Sequence, residues 1–218
     1  MTRELVVKGI GNASAAADLI ALNMNLEVRE VDYEGTMRRS VMLLDELRAA
    51  MVSVGHDGKA LITTRFNIDT VYKGYQKNDS YRQRFIGYVC NHSLKLEFDL
   101  DMSTLSATLG TIAECEAKPN FDIKFSVKDR NAVSAQLLES AVENAKWKAA
   151  VLANAAGVRL GAIQRIDYNW SELQLYSQTN YRSCYPMVVC EESKAYSLDI
   201  ETEDIDVSDT ATVVWAIA

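Results

Sequence analysis

The chain has little of what most catalytic and metal sites are built from. Its two histidines, His56 and His92, stand in no HxxxH spacing, and its four cysteines (Cys90, Cys115, Cys184 and Cys190) form no CxxC pair. Those absences argue against a zinc or iron centre and against a thioredoxin-type redox motif. The cysteines read as buried or idle thiols in a reducing compartment. There is no GxSxG elbow, no SxxK, and no cysteine in a known catalytic signature, so covalent catalysis has no visible nucleophile. No window approaches the ~18 consecutive apolar residues of a membrane span. The start, Met1-Thr2-Arg3-Glu4-Leu5-Val6-Val7-Lys8, is not a secretory leader. The expected compartment is the cytoplasm, or the periplasm or cell surface if a leader has been removed. A concentrated basic face is missing too: the 23 Lys and Arg are scattered, the net charge is −7, and the densest basic cluster is Tyr81-Arg82-Gln83-Arg84. Nucleic-acid binding is not expected.

What the chain does have is clear periodicity. Ile20, Leu22, Met24, Leu26 and Val28 alternate with Ala21, Asn23, Asn25, Glu27 and Arg29, a half-buried strand. Met37, Val41, Leu44, Leu47 and Met51 then recur at helical steps, predicting a helix over 36–54 that stops near Gly55. A strand runs from Ile62 to Tyr72, and the polar stretch Gly74–Arg84 reads as a hairpin loop or junction. A long strand follows from Tyr88 to Leu100. Asp101 or Ser103 caps a short helix with the stripe Met102, Leu105, Leu109 and Ile112. Phe121, Ile123, Phe125 and Val127 alternate as another strand. Asp129 then caps the longest helix, whose face is Val133, Leu137, Ala141, Ala145, Ala149, Leu152 and Ala156. Leu160 to Trp170 reads as a strand, 171–197 as a long irregular loop, and Ile205 to Ile217 as the closing strand.

This order, β-β-α-β followed by β-α-β-α-β-β, predicts an α+β protein with helices on one face of mostly antiparallel sheets. Two lobes are expected, 1–80 and 81–218, with the last strand able to pair back to the first lobe.

Gly9-Ile10-Gly11-Asn12-Ala13-Ser14 imitates a dinucleotide-binding loop, with Glu27 or Glu30 near the ribose-binding distance. That loop needs a helix directly behind it, and strand periodicity follows instead, so the glycines read as a turn between two strands. No cofactor is expected. His56 reads as a solvated turn residue and His92 as a hydrogen-bonded core residue. The carboxylate pairs at Asp99/Asp101, Glu191/Glu192 and Glu201/Glu203/Asp204 read as solvated faces with no fixed coordination geometry. Tyrosines are the remaining candidates. Tyr72, Tyr75 and Tyr88 stand where a ligand cleft between the lobes would lie, and Tyr176, Tyr181 and Tyr185 sit in the irregular stretch with Tyr168, Tyr196 and Trp170. These last serve either as interface anchors or as ordinary packing of the loop on its own sheet.

The run from Ala141 through Ile163 resembles the signature of the SIMPL (DUF541) family, an Ala-rich helix, a glycine stop, then Leu-Gly and a strand. Ala145, Lys148, Ala149, Leu152, Ala153, Gly157, Leu160 and Gly161 match in place. The early Gly9 and Gly11, Ile62-Thr63-Thr64, Gly87-Tyr88 and the closing Ile205-x-Val207 are similar as well. The resemblance implies a protein without an established catalytic residue. Members are often periplasmic or surface proteins, some assemble into ring-like or channel-like oligomers, and some are linked to oxidative-stress tolerance. The eukaryotic namesake associates with a signalling kinase. The sequence departs from that pattern in lacking an export signal, and in carrying Glu201–Asp204 where a Pro- and Gly-containing segment is common. The expectation is therefore a non-catalytic homo-oligomer working through protein contacts, with a small-ligand binding module as the alternative.

Overall fold

A computed structural model describes residues 3–77, 80–168, 173–183 and 201–218. The elements run β1 (Glu4–Ala15), β2 (Leu19–Glu30), α1 (Tyr33–Ser53), β3 (Ile62–Lys77), β4 (Ser80–Asp99), α2 (Met102–Glu114), β5 (Asn120–Ser126), α3 (Arg130–Ala156), β6 (Leu160–Tyr168), β7 (Tyr176–Ser183) and β8 (Ile205–Ile217). The class is α+β. Its strands form two sheets, ordered β1-β8-β6 and β3-β4-β2-β5-β7.

The compact units are discontinuous in sequence. A terminal unit gathers residues 1–18, 126–178 and 202–218, and a central unit gathers 19–125 and 179–201. The division into 1–80 and 81–218 is thus corrected, since a cut there falls inside the β3–β4 hairpin of the central unit. The reason is the return of the last strand. β8 pairs antiparallel with β1 from Glu4↔Ala216 to Ala15↔Ile205 without a break, which ties the first strand to the C-terminal part of the chain.

In the terminal unit, α3 starts at Asp129, whose carboxylate accepts the Ala132 N–H at 2.9 Å. It ends at Gly157, which adopts the left-handed conformation (φ 69°) that closes a helix. Its buried row is Val133, Leu137, Ala141, Ala145, Ala149 and Ala153. The expected Leu152 and Ala156 are instead exposed. The physical reason is that the contact row keeps to steps of four, a ridge inclined to the helix axis, whereas the expected face takes a step of three at Leu152.

Alanines along that row let the helix come very close. Val7, Ala145, Ala149, Val213 and Trp215 pack as one cluster. A Cβ on Gly9 would collide with the Ala141 carbonyl oxygen and lie 2.8 Å from the Ala145 Cβ. One on Gly11 would collide with the Leu137 carbonyl oxygen. These glycines do not form a turn, contrary to what their spacing implies. β1 runs straight through them, and they are there because no side chain fits beneath α3.

α3 also closes the outer edge of β1. The Ile10 N–H donates to Asn144 Oδ1 at 3.0 Å, the Asn12 N–H to Ser140 Oγ at 3.2 Å, and Lys148 Nζ donates to the Lys8 carbonyl at 3.2 Å. Ser140, Asn144 and Lys148 form one helical stripe, so this strand edge offers few unpaired backbone groups to another chain.

In the central unit the alternation read from the sequence sets the core. Leu22↔Leu96, Met24↔Leu94, Leu26↔His92 and Val28↔Cys90 are cross-strand pairs of β2 and β4, all buried. They lie with Leu44, Leu47 and Met51 of α1 and Leu105, Leu109 and Ile112 of α2 in the buried set. The α1 stripe differs at its start, where Val41 is exposed and Thr36 and Ser40 are buried. Both hydroxyls are satisfied locally: Thr36 donates to the Asp32 carbonyl at 2.8 Å, and Ser40 Oγ lies 3.3 Å from Cys90 Sγ. α2 is capped by Asp101, which accepts from the Ser103 and Thr104 N–H groups. Hydrogen bonds from the Thr104 and Ser103 side chains pull its carboxyl down to about 2. Within the stretch expected to be a loop, Tyr176–Ser183 form β7. Its polar sequence carries no apolar alternation to announce a strand.

Candidate functional site

The long hairpin of the central unit outruns its sheet. β2 accompanies β4 only as far as Glu30↔Tyr88, while β3 stays paired with β4 through Lys77↔Ser80. Residues 71–77 and 80–87 therefore make a two-stranded arm, and the segment expected to be a loop is mostly strand. Where the arm leaves the sheet, the register shifts between Val71 and Tyr72. Gly87 at that point has φ 145°, and a Cβ there would strike the Glu30 carbonyl oxygen and sit 3.2 Å from Val31 Cα.

Pairing beyond the shift gives the arm two unlike faces. Tyr72↔Phe85 and Gln76↔Tyr81 share one, and Lys73↔Arg84 and Tyr75↔Arg82 share the other. The aromatic face is organised. Tyr72 meets Phe85 edge-on at 5.7 Å, Phe85 meets Tyr88 at 5.3 Å, and Tyr88 meets Tyr33 at 5.7 Å. Much of this surface is nonetheless in water: Tyr72 is 54% and Tyr81 75% exposed, and Phe85 is exposed as well. On the cationic side, an open hollow of about 470 Å³ is lined by Val31, Lys73, Tyr75, Arg84, Phe85 and Ile86. A smaller one of about 190 Å³ lies at the arm's base beside Gly87 and Tyr88.

Tyr72, Tyr75 and Tyr88 thus all lie on this hairpin of the central unit, Tyr72 and Tyr88 joined through Phe85 and Tyr75 on the opposite face of the ribbon. Tyr176 belongs to the other unit. That residue is in the terminal unit, half-buried, with the Arg130 guanidinium 5.5 Å over its ring and donating to its hydroxyl at 3.3 Å. Tyr181 lies on β7. Tyr185, Tyr196, Trp170, Cys184 and Cys190 fall outside the described residues.

Reading along the chain misses Lys73, which the hairpin sets directly opposite Arg84, so that the local cluster Arg82–Arg84 grows into a patch. The signal is present as two basic segments flanking a turn, but only the pairing joins them.

Each histidine has a hydroxyl partner at Nε2, while His92 Nδ1 is buried without one. His92 is buried, with Nε2 2.8 Å from Thr63 Oγ1 and Phe66 edge-on at 4.9 Å. Burial first, then the charge of Arg48, lowers its pKa. His56 is not simply solvated, since its Nε2 lies 2.7 Å from Thr108 Oγ1 and its ring lies 4.9 Å from Phe98. Burial lowers its pKa as well. Cys90 and Cys115 are free and buried, and burial followed by the Glu46 carboxylate pushes the Cys115 thiol up to about 11. A thiol held protonated in this way is a poor nucleophile. Among the described residues, no group of three or more His, Cys, Asp and Glu is placed to hold a metal ion. No helix among them is long and apolar enough to cross a membrane.

The family model SIMPL, described as a protein of unknown function (DUF541), matches residues 5–215, nearly the whole chain. The chain belongs to the SIMPL family. No curated protein matches it significantly. In this SIMPL chain the signature residues act structurally: Ala145 and Ala149 are fully buried on the inner face of α3, Lys148 closes the β1 edge, and Gly157 caps the helix. A Cβ on Gly161 would lie 2.9 Å from the Ala216 carbonyl oxygen, which explains a small residue at the start of β6. Leu152 and Leu160 are exposed, so the match there does not rest on the core. The family signature and the arm are different parts of the molecule.

Proposed function

We propose that this SIMPL protein works without catalysis, by self-association through the aromatic arm. One observation carries the reading: a two-stranded ribbon, without β2 alongside it, presents Tyr72, Tyr75, Tyr81 and Phe85 to water. Isolated two-stranded ribbons are marginal in water, and contiguous exposed apolar patches are rare on monomers unless they bind something. Aromatic side chains are also the residue type that most often carries interface energy. The sheet edges favour the same reading. The β1 edge is closed by α3, whereas eight of the nine residues of β6 are exposed, Leu160, Ile163 and Ile166 among them.

Light scattering on a sizing column tests it. The expected mass at micromolar concentration is a multiple of 24.3 kDa, and a strictly monomeric protein would contradict the reading. A second reading, a small-ligand binding module, is supported by the 470 Å³ hollow beside Lys73, Tyr75 and Arg84. A thermal-shift screen in which no compound raises the melting temperature would count against it.

A further inference from the structure

We infer that the cationic side of the arm docks on the carboxylates at the start of β8 in a second copy of the chain. The inference rests on the self-association reading and adds to it a charged contact on the face of the ribbon opposite Tyr72 and Phe85. Residues 71–88 contain four cations, Lys73, Lys77, Arg82 and Arg84, against one carboxylate, Asp79. That is a net of +3, so with −7 in total the remainder of the chain carries −10. The arm is thus a basic projection on an acidic protein.

The arrangement within the arm sharpens this. Lys73 and Arg84 are directly opposed across the ribbon, with Arg82 one pair further along on the same face. Like charges placed opposite each other destabilise a strand pair. Among the described residues, none of Lys73, Arg82 and Arg84 forms an ion pair. All three are exposed. Nothing in the described chain offsets that repulsion, and an anionic surface from outside does.

The complementary surface is in the terminal unit. Glu203, Asp204 and Asp206 are exposed around the buried anchor Ile205. The Glu203 carbonyl is held by the Ser177 hydroxyl at 2.8 Å, which fixes this stretch before β8 begins. On extended backbone, Asp204 and Asp206 are spaced about 7 Å apart, as are Arg82 and Arg84 on the arm. Two carboxylates therefore meet two guanidinium groups in register, and paired Arg–carboxylate contacts are the strong kind. Because the two surfaces are different patches of one chain, the contact is head-to-tail. It repeats from copy to copy, closing as a ring or running on as a filament.

Sedimentation velocity on the full chain tests the pairing, at low salt and at about 0.5 M NaCl, where exposed charges are screened. The variants are R82E/R84E, D204K/D206K and the two combined, with R82Q/R84Q as the milder form should the reversal fail to fold. High salt should weaken wild-type association at least tenfold, each reversal should do the same at low salt, and the combination should recover most of the loss. Association that ignores salt and both reversals would overturn the docking while leaving self-association intact. Loss in R82E/R84E alone would also overturn it, by placing the acidic partner elsewhere. So would binding to phosphatidylserine vesicles or single-stranded DNA that R82E/R84E abolishes while assembly stays unchanged, because the cations would then serve another polyanion. A monomer under every condition would remove the docking and the reading beneath it together.

Discussion

Alanine in place of Gly11 is expected to destabilise the terminal unit by about 3 kcal/mol, a large cost for one added methyl group. The new Cβ would strike the Leu137 carbonyl oxygen, with the Ala141 backbone nitrogen at 2.8 Å and the Ala141 Cβ at 3.0 Å. The first two are helix backbone atoms, so no rotamer change relieves the contact. α3 must move off β1, and that opens the cluster of Val7, Ala145, Ala149, Val213 and Trp215. It also draws Asn144 and Ser140 away from the Ile10 and Asn12 amides they cap. Gly110 supplies the contrast. It lies within α2, where an added Cβ would meet nothing within 4 Å, so alanine there should stabilise by up to about 1 kcal/mol. Urea denaturation of both variants checks the opposite signs. A Gly11→Ala protein as stable as wild type would show that the helix does not seat on the strand so closely.

Removing the rings of Tyr72 and Phe85 together is expected to weaken self-association about 100-fold. Buried aromatic anchors at interfaces each cost about 2 kcal/mol or more on truncation to alanine, and such losses do not simply add. Tyr72 and Phe85 meet edge-on at 5.7 Å and form the middle of the exposed face, so both would be covered in an assembly built on the arm. The monomer should lose little, since neither ring belongs to the buried core. Sedimentation equilibrium gives the association constant, and a denaturation curve beside it separates lost contact from lost folding. Unchanged association in a folded Y72A/F85A protein would move the interface off this face.

The fold is legible in the sequence wherever one face of an element is buried and the other wet. Ile20 to Val28 and the Ala-rich helix declare themselves because alternation and the step of four are consequences of one-sided burial. Where that condition fails, so does the reading. Thr36 and Ser40 are buried on α1, but their hydroxyls bond to the Asp32 carbonyl and Cys90, and hydropathy marks such residues as surface. The arm is exposed on both faces, so Gly74–Arg84 shows no apolar stripe and imitates a loop. β7 is hidden for the reason that hides Thr36 and Ser40: the residue it buries, Ser177, is polar. Gly9 and Gly11 mislead in another way, because glycine permits a turn and also permits close approach, and only the distant Leu137 and Ala141 decide between them.

The site is half legible. Residue type picks out Tyr72, Tyr75 and Tyr88, and their meeting on one hairpin follows from a strand pairing that the sequence does not state. The opposition of Lys73 and Arg84 depends wholly on that register, including the shift at Val71/Tyr72. Composition alone draws in Tyr176, and Arg130 accounts for it.

Amide hydrogen exchange followed as a function of protein concentration tests the arm most directly. Residues 71–77 and 80–87 should exchange quickly in dilute solution and slow markedly as concentration rises, while α3 keeps the same protection throughout. Concentration-dependent protection confined to another surface, such as β6, with the arm unchanged, would contradict the account.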